Sequence, residues 1–104
     1  MISFTERWFR SCVIAGTRSE TDNVLYAAVG LAGETGEVCD LIKKTYRLGA
    51  RHRPLDVDEL ASELGDVLFY VATLANAYGI DLEEIIAIHC EKRHSLGLST
   101  GEFS

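Results

Sequence analysis

Apolar positions recur along this chain at intervals of three and four residues and nowhere in sustained alternation, a pattern that predicts helices and no strands. Phe4, Trp8, Cys12 and Ala15 give one apolar face to a first helix expected from about Ser3 to Ala15. A second, long helix is expected to begin at Thr21 or Asp22, either of which can cap it, and to reach about Leu48, where Gly49 supplies a stop. The stretch from Gly49 to Leu55 is short, basic and carries the chain's one proline, Pro54, so it reads as a loop. Asp56 followed by Glu59 is a capping-box-like start for a third helix that extends to about Tyr78 and closes at Gly79. Asp81 and Glu84 repeat that signal and predict a fourth helix from Asp81 to about His94, after which residues 97–104 read as a polar tail.

The third helix is apolar on nearly every side: Leu60, Leu64, Val67, Leu68, Phe69, Val71, Leu74 and Ala75 exceed a single stripe. Such a helix must be covered all round, and four short helices in one small chain cannot do that alone. The expected architecture is therefore an all-α, four-helix bundle completed by homo-oligomerisation, as a homodimer or a dimer of dimers.

Composition narrows the functional classes. At 104 residues the chain is one domain, and 47% hydrophobic with 25% charged residues is a globular balance. The formal net charge of −6 disfavours nucleic acid and anionic membranes as partners. No apolar run is long enough to span a bilayer, and Glu6 and Arg7 stand where a leader would place its apolar stretch, so neither a span nor a signal peptide is expected. Cys12, Cys39 and Cys90 are odd in number and dispersed, which predicts free thiols in a reducing cytoplasm. Cys90 and His94 stand one helical turn apart, but two ligands fall short of a closed zinc site, and an ordinary core thiol is the competing reading.

The informative feature is two pairs of acids, Glu34 with Glu37 and Glu63 with Asp66, each three residues apart on a predicted helix. That spacing projects both carboxylates of a pair from one side. Their neighbours Leu31, Val38, Leu64 and Val67 are apolar, so the acids are expected to face a cleft. Four carboxylates gathered there repel one another unless cations are present. All-oxygen ligands favour a hard divalent ion; Mg²⁺ is the expected one, with Mn²⁺ a possible substitute. Such ions also resolve how an acidic protein could receive a polyphosphate. Gly33, Gly36 and Gly65 stand beside the acids at a helix cost of about 1 kcal/mol each, which points to close helix approach or to room for a ligand. The competing reading is solvated acids paired with lysines on helix surfaces.

With these pairs in place the sequence resembles the MazG-like all-α nucleoside triphosphate pyrophosphohydrolases. The resemblance covers roughly residues 20–97. It rests on Gly30-Leu-Ala-Gly-Glu-Thr-Gly-Glu-Val38, Glu63-Leu-Gly-Asp-Val-Leu-Phe-Tyr70, Gly79-Ile-Asp-Leu-Glu-Glu84 and Glu91-Lys-Arg93. It implies Mg²⁺-dependent hydrolysis of nucleoside triphosphates between the α and β phosphates, in the service of nucleotide-pool housecleaning. It also implies that Glu34, Glu37, Glu63 and Asp66 are metal ligands, with Glu37, or else Glu34, orienting the attacking water. Lys44, Lys92 and Arg93 are candidates for phosphate oxygens, the alternative being helix-end cations that suit the dipole. Members often carry asparagine three residues before the lysine of the fourth helix, where this chain has His89. His89 is thus a candidate substrate donor or a structural histidine, and Trp8, with Phe9, is a candidate base contact or a core residue.

Other readings share this pattern. Dimeric dUTPases and phosphoribosyl-ATP pyrophosphohydrolases use similar acidic helices. A catalytically silent helical interaction or regulatory module would keep the fold without turnover. A calcium module is the third, though no EF-hand loop is present.

Overall fold

The computed structural model describes residues 1–14, 19–46 and 54–98. It contains four helices: α1 (Phe4–Ser11), α2 (Glu20–Thr45), α3 (Val57–Ala77) and α4 (Leu82–Ser95), with no strand among the described residues. The all-α expectation holds, and so does the order of the helices.

The boundaries follow the capping chemistry. Asp56 caps α3 by accepting from the Glu59 amide at 3.1 Å, as its sequence signal predicts. The cap of α2 is Ser19, not Thr21 or Asp22: its hydroxyl accepts from the Asp22 amide at 3.1 Å. Starting one turn earlier puts Glu20 and Asp22 inside the first turn, where their charge favours the dipole. Asp81 sits at the N-cap of α4 but makes no side-chain capping bond. Both α3 and α4 end in the same motif, with Gly79 at φ 68° and Gly97 at φ 72°. The Ile80 amide reaches the Ala75 carbonyl at 2.9 Å and the Leu98 amide reaches Arg93 at 2.8 Å, closing each last turn. α2 ends at Thr45 with Tyr46 as its C-cap, so it stops short of the expected Leu48. The expected stop at Gly49, the basic part of the loop up to Arg53 and the end of the tail lie outside the described residues.

The first helix differs from its expected form in length and in face. It ends at Ser11, and Cys12 to Ile14 leave it in non-helical backbone; Ala15 lies outside the described residues. The buried side chains are Phe9 and Cys12, whereas Phe4 is 77% and Trp8 37% exposed. The cause lies far away in sequence. Asn76 on α3 donates both to the Phe9 carbonyl at 2.8 Å and to the Cys12 carbonyl at 2.9 Å. The Phe9 carbonyl also accepts from the Cys12 amide at 3.2 Å, and Asn76 adds a second donor there and one for the Cys12 carbonyl, so α3 fastens the C-terminal end of α1 and sets its rotation.

Phe9, Cys12, Ala72 and Ala75 form the core cluster, with Phe69, Leu82 and Ile85 packed against it. α2 and α3 run side by side with Ala27 buried, while α1 lies against α3 where the small side chains of Ala72 and Ala75 receive Phe9 and Cys12. Among the described residues, no large side chain is completely buried. Leu25 and Val29 on α2, Leu64 and Leu68 on α3, and Ile86 and Ile88 on α4 remain exposed.

Candidate functional site

α2 and α3 meet as an antiparallel pair, and the acids stand on their shared seam. Glu34, Glu63 and Asp66 each bring a carboxylate oxygen to within 4.8 Å of the others. Glu34 and Glu63 are half-buried and Asp66 is exposed. Glu37, the fourth acid of the predicted set, is exposed and stands outside this close group, though its charge still reaches Glu63.

The electrostatics of the group are those of crowded anions. Loss of solvent, and then the charges of Glu34, Asp66 and Glu37, raise Glu63 above the ordinary glutamate value, with a carboxyl–carboxyl hydrogen bond to Glu34 acting the same way. Protonation and cation binding are the two ways such a cluster relieves its repulsion. Three carboxylates with no nitrogen or sulfur among them suit a hard divalent ion.

Gly30 and Tyr70 form the next row of the seam. A Cβ built at Gly30 would overlap the Tyr70 ring, so the absence of a side chain there is what lets the ring lie across α2. Gly33, Gly36 and Gly65 have nothing within 4 Å of such a Cβ. Among the described residues no neighbouring helix approaches these three, and space remains there. The ring of Tyr70 stands edge-on to Phe69, with centroids 5.2 Å apart, and Phe69 packs against the core cluster. Burial, then the Tyr26 hydroxyl and the Glu34 and Asp66 carboxylates, raise the Tyr70 hydroxyl above the ordinary tyrosine value. It thus keeps its proton at neutral pH and stands as a donor beside an acceptor cluster. Neither Gly30 nor Tyr70 was identifiable as a site residue from spacing alone, though Tyr70, one turn beyond Asp66, carries the period of the acid pair onward.

The remaining candidates lie on α1, in the last turn of α2 and on α4. Lys44 is held by Asp40 at 2.8 Å, with Lys43 at 3.7 Å from the same carboxylate. The Lys44 hydrogen bond is the main reason Asp40 lies below the ordinary aspartate value. Lys92 is exposed and Arg93 half-buried in the last turn of α4, and His89 is exposed two turns from its end. Phe9, the alternative aromatic to Trp8, is a core residue. Cys90 and His94 belong to no group of three or more potential ligands among the described residues.

Acids converging from two antiparallel helices, next to a notch that seats an aromatic ring, define a helical protein built around a cluster of carboxylates. The model of the MazG nucleotide pyrophosphohydrolase domain matches residues 23–95, and the chain belongs to that family. It is similar to the Gene 37 protein of Mycobacterium phage L5, 34% identical over 86 residues that cover 78% of this chain and 72% of the phage protein. It is also similar to the uncharacterized protein YvdC of Bacillus subtilis strain 168, 32% identical over 96 residues covering 84% of this chain and 87% of that protein. No solved structure matches it. Membership supports a pyrophosphohydrolase-type enzyme acting in nucleotide metabolism. Among the described residues no helix is long and apolar enough to cross a membrane.

Proposed function

We propose that this protein hydrolyses (deoxy)nucleoside triphosphates between the α and β phosphates, releasing a nucleoside monophosphate and pyrophosphate, with Mg²⁺ as its ion and Mn²⁺ as a substitute. The observation that carries the reading is the convergence of Glu34, Glu63 and Asp66 on one point in a chain of this family. Glu34, Glu63 and Asp66 would hold the ion, with Glu37 at the margin of the group. When bound, the ion offsets the charge of the polyphosphate and polarises the phosphoryl group under attack.

The chain's own groups supply the rest. Glu37, exposed beside the cluster, accepts a proton from the attacking water, with Glu34 the other candidate for that role. The water oxygen bonds to the α-phosphorus, and the bridging oxygen leaves with the pyrophosphate. The protonated Tyr70 hydroxyl can donate to a substrate oxygen next to the carboxylates. Lys92 and Arg93 supply positive charge to the departing pyrophosphate, and Lys44 joins them if substrate draws it from Asp40.

A second copy of the chain covers the exposed apolar positions Leu25, Val29, Leu64 and Leu68, making the working unit a homodimer or a dimer of dimers. The setting is the cytoplasm and the role is removal of unwanted nucleotides from the pool.

The test is pyrophosphate release from a panel of NTPs and dNTPs, with and without Mg²⁺, beside Glu37→Gln and Asp66→Asn. Release that needs the ion and falls about a hundred-fold in the variants is expected. A folded protein that releases pyrophosphate from no nucleotide would sink the enzyme reading and leave a silent interaction module of the same fold.

A further inference from the structure

The seam between α2 and α3 does not end at Tyr70. One turn further on, Asn23 and Ala27 of α2 share the walls of a single cavity with Thr73, Asn76 and Ala77 of α3. Ala27 and Thr73 each lie seven positions from an acid, Glu34 and Asp66, which is about 10 Å along a helix axis. That is comparable with the reach from an α-phosphate across a pentose to the far side of a base. Acid cluster, Tyr70 and cavity thus follow one another along one line, in the order phosphate, sugar, base.

The cavity measures about 190 Å³. An apolar cavity of about 150 Å³ takes up benzene, so there is room here for a planar ring. Val13 and Ile14, leaving α1, and Val24, Ala27 and Ala77 supply apolar walls. The polar groups are few, and the one buried without a partner is an acceptor. The Oδ1 of Asn23 is buried and has no hydrogen-bond partner. Thr73 gives its hydroxyl proton to the Phe69 carbonyl at 2.8 Å, which leaves it only lone pairs to offer. Asn76 spends its amide nitrogen on the Phe9 and Cys12 carbonyls, which leaves its oxygen. Glu20 adds a carboxylate at the wall. A buried acceptor without a donor costs about 1–3 kcal/mol, so the arrangement favours a ligand that brings N–H groups.

We infer that this cavity is the nucleobase end of the site and that it selects bases carrying an exocyclic amino group, with Asn23 reading that group. An amino group brings two hydrogens to a wall of acceptors. Thymine and uracil bring one N–H flanked by two carbonyls, and those carbonyls face lone pairs. Neither Trp8 nor His89 lines the cavity, so base choice here is made on α2 and α3. The inference rests on the reaction proposed above for the acid end, and its test is independent of turnover.

The full-length protein, labelled with ¹⁵N, is titrated with deoxycytidine, deoxyadenosine and thymidine, which carry no phosphate and need no metal. Deoxycytidine and deoxyadenosine are expected to shift the Asn23 side-chain amide and the Ala27 and Thr73 backbone amides, with Kd values about ten-fold below that of thymidine. In Asn23→Leu that preference is expected to disappear, while binding of Mg²⁺ with pyrophosphate at the acid end stays unchanged. Shifts confined to residues elsewhere, no shifts at all, or thymidine bound as well as deoxycytidine by the unmutated protein would overturn the inference. None of those results touches the hydrolysis reading, which falls only if no nucleotide releases pyrophosphate.

Discussion

Two polar patches interrupt the apolar length of α3, and they are built in opposite ways. Near its C-terminal end Thr73 and Asn76 are paired inside the protein: Thr73 bonds the Phe69 carbonyl, and Asn76 bonds two carbonyls of α1. Two to three turns earlier Glu63 and Asp66 face Glu34 as three carboxyl groups with no basic group among them. In the first patch Thr73 bonds within α3 and Asn76 joins α3 to α1, and polar groups so satisfied do not detract from stability. The second leaves charge unbalanced, which detracts from stability in the metal-free protein and gives a cation something to bind. Polar residues of the same helix are thus divided between holding the fold and serving the site.

The widest break in this contrast is expected at Asn76. Asn76→Ala removes both bonds that fasten the end of α1, leaving the Phe9 carbonyl with the Cys12 amide alone and taking the Asn76 donor from the Cys12 carbonyl. The expected cost is about 2 kcal/mol, or about 10 °C in Tm for a domain of this size. Thermal melts measure it, and hydrogen exchange gives a local readout: the α1 amides should lose protection while those of α2 keep theirs. Unchanged protection in α1 would show that Phe9 and Cys12 packing alone holds the helix.

Next in size comes the joint between the two patches. Gly30→Ala places a methyl group where the Tyr70 ring lies, and that ring has Phe69 behind it. Overpacking of this kind costs about 1–3 kcal/mol. Gly33→Ala, one turn away, meets nothing within 4 Å and replaces the poorest helix former but proline with the best. It is expected to stabilise by about 1 kcal/mol, so the two substitutions should move Tm in opposite directions. If Gly33→Ala also destabilises, a second copy of the chain is packed against that face.

These pairs of residues show where sequence stops being informative. The helices and the carboxylate pairs are legible because both depend on spacing within one element: apolar periods of three and four, and acids three apart. The face of α1 is not, because Trp8 and Phe9 are adjacent aromatics and a donor at Asn76, 67 positions from Phe9, decides between them. Among the glycines, Gly33, Gly36 and Gly65 drew notice by standing beside acids, yet Gly30 is the one in close contact. Register between α2 and α3 decides that, and register is a property of two helices together. Ser19 is hidden as a cap for a smaller reason: Thr21 and Asp22, two and three residues on, offer competing caps.

The smallest expected effect concerns the unbalanced patch and has a definite sign. Glu63 binds its proton more tightly in the folded chain than in an ordinary peptide, through lost solvent and the charges of Glu34, Asp66 and Glu37. The folded state therefore takes up protons relative to the unfolded state, and this group's contribution to stability falls as pH rises from the ordinary glutamate value through the raised one. In Mg²⁺-free buffer, Glu63→Gln should flatten that part of the Tm-against-pH curve and leave the variant the more stable protein above it. Mg²⁺ should reverse the order at neutral pH, because the ion binds the cluster of the unmutated chain and has one carboxylate fewer in the variant. A variant that keeps the full pH slope would mean that the repulsion is relieved by side-chain movement, and the carboxylates would then be solvated surface acids rather than a site held ready for a cation.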